Sequence, residues 1–343
     1  MILIGMLHHR KMPTSIERTS FYALAAKEEG VDFIYFSPKG VDFKNKVING
    51  YVYKDGIWKR ATKRFPDVIF NAGSPAKLNR SKQIVNRLRK EIPFTSYPVG
   101  NKMAVYKRLK KAKVFSRYLI PTQTVSSTQE LLKFMQKNGK IVFKPVGGHQ
   151  GEGVTFIERK GQKFLVQFEG VDHIYTLSQL NEFVSKRILH TNYLVQRYIN
   201  SKNSDGEPTD FRLHVHKDGN KKWIISVIYA RSSTTRSLIT NVHQGAKVAV
   251  LDDYLKEHNP RHREEMKKKL EIFAIKLANH LDDLQEKSHL HKFDELGIDI
   301  GIDEHNNIWI YEVNWLPGTP HSFYGKYGIE TNTIRYAASL CKK

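Results

Sequence analysis

Leu296-Gly-Ile-Asp299-Ile-Gly-Ile-Asp303 and Ile308-Trp-Ile-Tyr-Glu312-Val-Asn314 are apolar runs separated only by Glu304-His-Asn-Asn307. Short β-branched runs around a polar turn fold back on each other as an antiparallel hairpin. If Asp303 and Ile308 close the turn, Asp299 faces Glu312. Side chains alternate along a strand, so Asn314 shares the face of Glu312. Acids set among Ile298, Ile300, Tyr311 and Val313 fit plain surface solvation poorly. Buried together they need a cation or a basic partner, because unpaired carboxylates in an apolar setting repel. Two carboxylates and a carboxamide suit Mg²⁺, a hard cation that bridges nucleotide phosphates.

A second segment points to the phosphates themselves. Ile141-Val-Phe-Lys144-Pro-Val-Gly147-Gly148-His-Gln150-Gly151-Glu-Gly153 sets a lysine at the end of an apolar strand and four glycines just after it. Glycine lets backbone N–H groups turn inward around an anion, and the lysine adds a point charge. The pattern lacks the Gly-Lys-Ser/Thr of a Walker A loop, and a strand is expected on both sides of it.

The remaining chain reads as three segments. Residues 1–98 alternate strands (1–7, 31–36, 67–70) with helices (15–27, 78–90) and carry a hairpin signal over 47–58, which predicts an α/β unit around a parallel sheet. Residues 99–200 open with a basic helix over 102–117, then mix strands (140–145, 153–158, 163–168, 193–196) with helices over 129–136 and 177–188. Residues 201–343 follow a polar stretch, Asn200 to Pro208, with strands over 211–216 and 223–229 and a long helix whose stripe runs from Met266 to Leu284. That stripe is core by default. Asp252-Asp253 and Asp282-Asp283 read as solvated helix ends, and Tyr51, Tyr53 and Trp58 as the apolar face of the hairpin.

The chain carries 56 Lys+Arg against 34 Asp+Glu, a formal net charge of +22. Residues 1–150 hold 29 basic and 9 acidic side chains, a net +20, leaving +2 for the rest. Such asymmetry concentrates anionic partners and leaves a polyanion, nucleic acid included, as one reading of residues 51–150. No apolar run reaches the ~18–20 residues of a membrane span. The single cysteine, Cys341, rules out an internal disulfide framework, which points to the cytosol. His214 and His216 alternate on a strand, and His289 and His291 form a second pair. Without further ligands near in sequence, both pairs read as structural histidines.

Lys144 to Val154, Asp210-Phe-Arg212, Tyr229-Ala-Arg231, Thr240-Asn241-Val-His-Gln-Gly245, Asp299 and Glu312-Val-Asn314-Trp-Leu-Pro-Gly318 together resemble the ATP-grasp superfamily. Their order and spacing are most similar to its YheC/YheD branch, labelled endospore coat-associated. The resemblance implies a Rossmann-like preceding domain (1–98), then an ATP-grasp N-terminal subdomain with a lid loop (99–200) and a C-terminal subdomain (201–343) bearing the metal hairpin. It further implies ATP and Mg²⁺, with Mn²⁺ able to stand in. Lys102 and Lys144 would meet the phosphates, Gly147, Gly148, Gln150, Gly151 and Gly153 would form the lid, and the backbone of Gln196, Arg197, Tyr198 and Ile199 would read adenine. Arg212, Arg231 and Asn241 would face the reacting anion, while Asp299, Glu312 and Asn314 would hold the metal. The implied reaction joins an acidic carboxylate substrate to an amine through an acyl phosphate. Two alternatives stand beside it: a nucleotide-binding assembly or coat-associated protein that does not ligate, and polyanion binding through the basic half.

Overall fold

The computed structural model describes residues 1–73, 79–147, 153–233, 246–287 and 291–341. Three sheets organise them. The first contains β1 (Leu3–Leu7), β2 (Asp32–Phe36), β3 (Val41–Asp42), β4 (Val47–Lys54), β5 (Ile57–Arg64) and β6 (Val68–Asn71). β1 lies parallel to both β2 and β6, and the β4–β5 hairpin joins the edge of β2 antiparallel. Its helices are α1 (Thr19–Glu28) and α2 (Asn79–Glu91). α1 starts four residues later than its apolar pattern suggests, because Pro13–Ser15 form a separate 3-10 turn and Ile16 is extended. Tyr53 and Trp58 meet with ring centroids 5.0 Å apart and pack on this core, as an apolar hairpin face should.

The basic helix is α3 (Lys102–Ala112), capped by the Asn101 side chain, which accepts from the Ala104 N–H at 2.9 Å. It is shorter than expected. Lys113 takes a left-handed φ of 65°, which ends the helix and turns Phe115 into the core against Phe273.

The second sheet is antiparallel throughout: β7 (Thr122–Val125), β8 (Ile141–Pro145), β9 (Thr155–Lys160), β10 (Lys163–Phe168), β11 (Val171–Tyr175) and β12 (Tyr193–Arg197). α4 (Thr128–Asn138) and α5 (Leu177–Ile188) cover it. α5 begins in a capping box in which Thr176 and Gln179 satisfy each other's backbone N–H groups.

The third sheet, also antiparallel, consists of β13 (Thr209–Lys217), β14 (Trp223–Ser232), β15 (Lys247–Val250), β16 (Glu295–Ile302) and β17 (Ile308–Asn314). α6 (Leu251–His258) and the long α7 (Arg263–Lys287) pack on one face, burying Leu270, Phe273, Leu277 and Leu281. Asp282 does not end a helix in solvent. It is buried inside α7, where it accepts from Trp223 Nε1 at 3.2 Å and the Phe293 N–H at 3.0 Å and pairs with Lys217. α8 (Ile329–Ser339) returns to the first sheet, setting Ile334 and Ala337 against Ile4 and Met6. Among the described residues, no helix is long and apolar enough to cross a membrane.

Asp299 lies opposite Glu312, but the turn closes differently from the simple expectation. Ile302, not Asp303, pairs with Ile308, and a bulge between Asp299 and Ile300 takes up the difference, with Tyr311 as the extra residue. Gly301 makes room for it, since a Cβ there would collide with the Tyr311 hydroxyl. Gly301→Ala should therefore cost about 1–3 kcal/mol by overpacking, read as a lowered urea midpoint. An unchanged midpoint would show that the Tyr311 ring moves aside freely.

Candidate functional site

The second and third sheets face each other across a cleft lined by Lys102, Tyr106, Thr122, Lys144, Gln196 and Glu312, among others. Each wall has a structural reason. Lys144 sits near the end of β8, where the apolar run of that strand gives out. Leu194 of β12 pairs with it, and Gln196, two residues on, shares that face. Glu312 projects from β17, and Lys102 from the first turn of α3. A bridge between Leu119 and Ile310 ties the chain after α3 to β17.

The charges in the cleft are paired across it. Lys102 Nζ lies 2.9 Å from Glu312 Oε2, and Asn314 Nδ2 donates to Glu312 Oε1 at 2.8 Å. Burial alone would raise the Glu312 carboxyl, and Lys102 more than offsets it, holding it down at about 2. Lys144 Nζ donates to Gln196 Oε1 at 2.8 Å, and Gln196 Nε2 donates to Thr122 Oγ1 at 3.0 Å. Burial, helped by the neighbouring charge of Lys102, pushes the Lys144 ammonium down to about 8.

Beside the cleft two guanidiniums and two carboxylates interlock on the same face of the third sheet. Arg212 pairs across the strands with Asp299, and Asp210 with Arg231. Arg212 grips both oxygens of Asp299, with NH2 at 2.9 Å from Oδ2, and its NH1 donates to the Gly318 carbonyl at 3.2 Å. Arg231 grips Asp210 at 2.6 and 2.8 Å and reaches Asp299 Oδ1 at 3.2 Å. Burial works against both charges, and the aspartates outweigh it, keeping Arg212 and Arg231 protonated. The buried acids thus have the basic partners that the sequence requires: Arg212 and Arg231 for Asp299, Lys102 for Glu312.

The structure brings Lys102, Lys144, Gln196, Glu312 and Asn314 together and sets Arg212, Arg231 and Asp299 on the adjoining rows of the sheet. Gly147 is exposed just after β8, and Gly153, at a φ of 70°, closes against Pro145 before β9. Gly148, Gln150, Gly151 and Asn241 lie outside the described residues. In the stretch from Gln196 to Ile199, the Arg197 N–H donates to Pro121 O at 3.0 Å and the Tyr198 N–H to Lys140 O at 2.9 Å. The Arg197 guanidinium stacks 4.4 Å over the Trp309 ring. Two contributions escape a sequence reading: Gln196 acts here through its side chain, and Thr122 orients that side chain. Neither residue carries a local pattern that announces this, because the contacts join strands far apart in the chain.

Comparison with known proteins fits this geometry. A family model described as YheC/D-like ATP-grasp matches residues 91–340. The chain is 25% identical over 326 residues to the endospore coat-associated protein YheD of Bacillus subtilis, covering 90% of this chain and 70% of that one. It is also 25% identical over 309 residues to YheC of the same organism, covering 86% and 83%. Among solved structures, an ATP-grasp ligase from Chryseobacterium gregarium in complex with ADP and a leader and core peptide superimposes with a TM-score of 0.51 at 15% identity, covering 99% of this chain and 97% of that one.

Proposed function

This chain belongs to the YheC/D-like ATP-grasp family, and from that membership we propose that it is an ATP- and Mg²⁺-dependent carboxylate–amine ligase. The observation that carries the reading is the convergence of Lys102, Lys144 and Glu312 in one cleft between two antiparallel sheets, with the Arg212–Arg231 pair beside it. Lys102 and Lys144 are the phosphate contacts, and family resemblance assigns the lid role to Gly147 to Gly153, of which 148–152 lie outside the described residues. With the N–H groups of Arg197 and Tyr198 already engaged, backbone donation to adenine falls to Ile199.

The donor set fits a hard cation. Glu312 and Asn314, whose amide nitrogen donates to Glu312 Oε1, would offer oxygen ligands, and Asp299 would join them if the guanidiniums yielded one of its oxygens. When bound, Mg²⁺ supplies positive charge at the nucleotide phosphates. The reaction class is a two-stage transfer. A substrate carboxylate oxygen attacks the γ-phosphorus, forming a C–O–P bond as ADP leaves. An amine then attacks the acyl carbon, phosphate departs, and the surplus amine proton passes to solvent. Arg212 and Arg231, fixed in place before the reaction, stabilise charge on the carboxylate and on the oxyanion, and family resemblance assigns the same role to Asn241. An acidic substrate, small molecule, peptide or polymer, suits the net +20 of residues 1–150. Peptides belong among the acids tested because the similar Chryseobacterium ligase holds one.

The test is ADP release by purified protein with Mg-ATP, screened against pooled amino acids, acidic peptides and wall-type polymers. Release that requires one pool supports the ligase. Mg-ATP binding without release in any pool would transfer the assignment to the non-ligating nucleotide-binding protein.

ATP affinity should also depend on pH through Lys144. Its ammonium is charged below about 8 and neutral above. Binding of the polyphosphate favours the charged form, so affinity is full at pH 7 and falls by up to about tenfold per pH unit above the Lys144 value. Calorimetry at pH 7 and pH 9 reads this directly. Equal affinity at both would remove Lys144 from the phosphate site.

A further inference from the structure

His214 and His216 lack a third ligand near in sequence, and the fold supplies one. Glu295 of β16 pairs directly with His216 of β13, and the residue opposite His214 is Gly297. His214 Nε2 lies 2.8 Å and His216 Nε2 3.1 Å from the same oxygen, Glu295 Oε1. All three residues are buried, none more than 2% exposed. The two imidazoles and the carboxylate turn their ligand atoms toward one another, within 4.8 Å.

A hydrogen-bonded core cluster accounts for only part of this arrangement. His216 Nε2 stands near Glu295 without the alignment to donate to it, so this buried nitrogen has no hydrogen-bond partner. Buried polar atoms without partners are costly, so each calls for an explanation. Around a tetrahedral ion with bonds of ~2.0–2.1 Å, neighbouring ligand atoms sit ~3.3 Å apart. The 2.8 and 3.1 Å separations fall within half an ångström of that edge. His216 Nδ1 bonds Ser226 Oγ at 2.8 Å, the kind of outer contact that orients a ligating imidazole.

We propose that His214, His216 and Glu295 form a binding site for a first-row divalent transition metal ion, Zn²⁺ by its geometry and donor set, with a fourth position left to water. Two imidazoles and one carboxylate are a known ligand combination for Zn²⁺, and Mg²⁺ disfavours imidazole. The site is distinct from the oxygen donors at Glu312, since Glu295 lies four residues, about 13 Å, along β16 from Asp299. It sits where α8 reaches β13. There Arg18 beside α1 is neutralised by Glu330 of α8 at 2.6 Å, so the cluster faces no unbalanced positive charge from that pair. The ion would cross-link β13 to β16 directly behind the guanidinium row.

The test uses untagged full-length protein stripped with a chelator, then titrated with Zn²⁺ against a chromophoric competitor and with Co²⁺ followed by visible absorption. A single tight equivalent is expected, with the intense d–d bands of tetrahedral Co²⁺. His214→Gln and Glu295→Gln should lose that equivalent, while Glu312→Ala should keep it. His258→Gln, in the Asp205–Glu257–His258 cluster at the surface, should keep it too. Absence of tight uptake by the parent, or uptake that survives His214→Gln, overturns the proposal. Circular dichroism verifies that each variant is folded. The Co²⁺ spectrum of the parent decides the matter alone if the variants do not fold, weak octahedral bands counting against the site.

Discussion

Glu312→Ala is expected to lower Mg²⁺-dependent ADP release by at least about 10²–10³-fold while leaving the fold intact, on the scale of losing one electrostatic stabiliser of a transition state. Glu312 stands half-buried at the cleft and is the one carboxylate there whose partner is a flexible lysine, not a rigid guanidinium pair. In the proposed reading its removal takes a metal-ligand oxygen from the site. It also removes a negative charge from beside Lys102 and Lys144, where the phosphates would lie. The variant should accordingly bind ATP without Mg²⁺ at least as well as the parent, even as turnover collapses. This pairing of results separates loss of a ligand from loss of structure, because a misfolded variant loses both. Turnover equal to the parent's would remove Glu312 from the metal site and with it the assignment of the cleft.

The largest effect on stability is expected at Asp299. Asp299→Asn keeps the shape of the side chain and removes the charge that holds Arg212 and Arg231. Arg231 would then keep Asp210, while Arg212 would lose its paired carboxylate. Breaking a buried pair on one side leaves an uncompensated charge and costs about 3–5 kcal/mol. Urea denaturation should show a much lower midpoint. The double variant Asp299→Leu/Arg212→Met should recover a good part of the loss, since replacing both partners of a buried ion pair by apolar groups is often close to neutral. Recovery of stability without recovery of turnover would mark the pair as retained for chemistry. A single variant as stable as the parent would mean the cluster is effectively solvated, against its burial at 6% exposure or less for both Arg212 and Asp299.

Local patterning made much of this legible before any fold was known. Short runs rich in apolar residues announced β1, β2, β6, β8, β10, β13 and β14, and the hairpin of β16 and β17 carried its two acids to opposed positions. The glycine-rich stretch after Lys144 and the Glu-Val-Asn-x-x-Pro-Gly ending pointed to the family for the same reason: both are short-range arrangements, complete within a few residues. The elements that escaped lack such local signals. β7 and β11 are short strands with mixed polarity, and α6 and α8 are short helices that owe their stability to the sheets they cover.

By itself the sequence determined which groups the chain carries and how each strand divides them between its faces, because side-chain alternation is a property of the backbone alone. Only the tertiary structure decided how those groups are partnered. Lys102 meets Glu312 from 210 residues away, Arg212 meets Asp299 across 87, and Glu295 reaches His214 across 81. Strand register and sheet order set these meetings, and both follow from packing over the whole chain. A one-residue bulge at Tyr311 was enough to restore Asp299 to Glu312 after the turn had closed out of step.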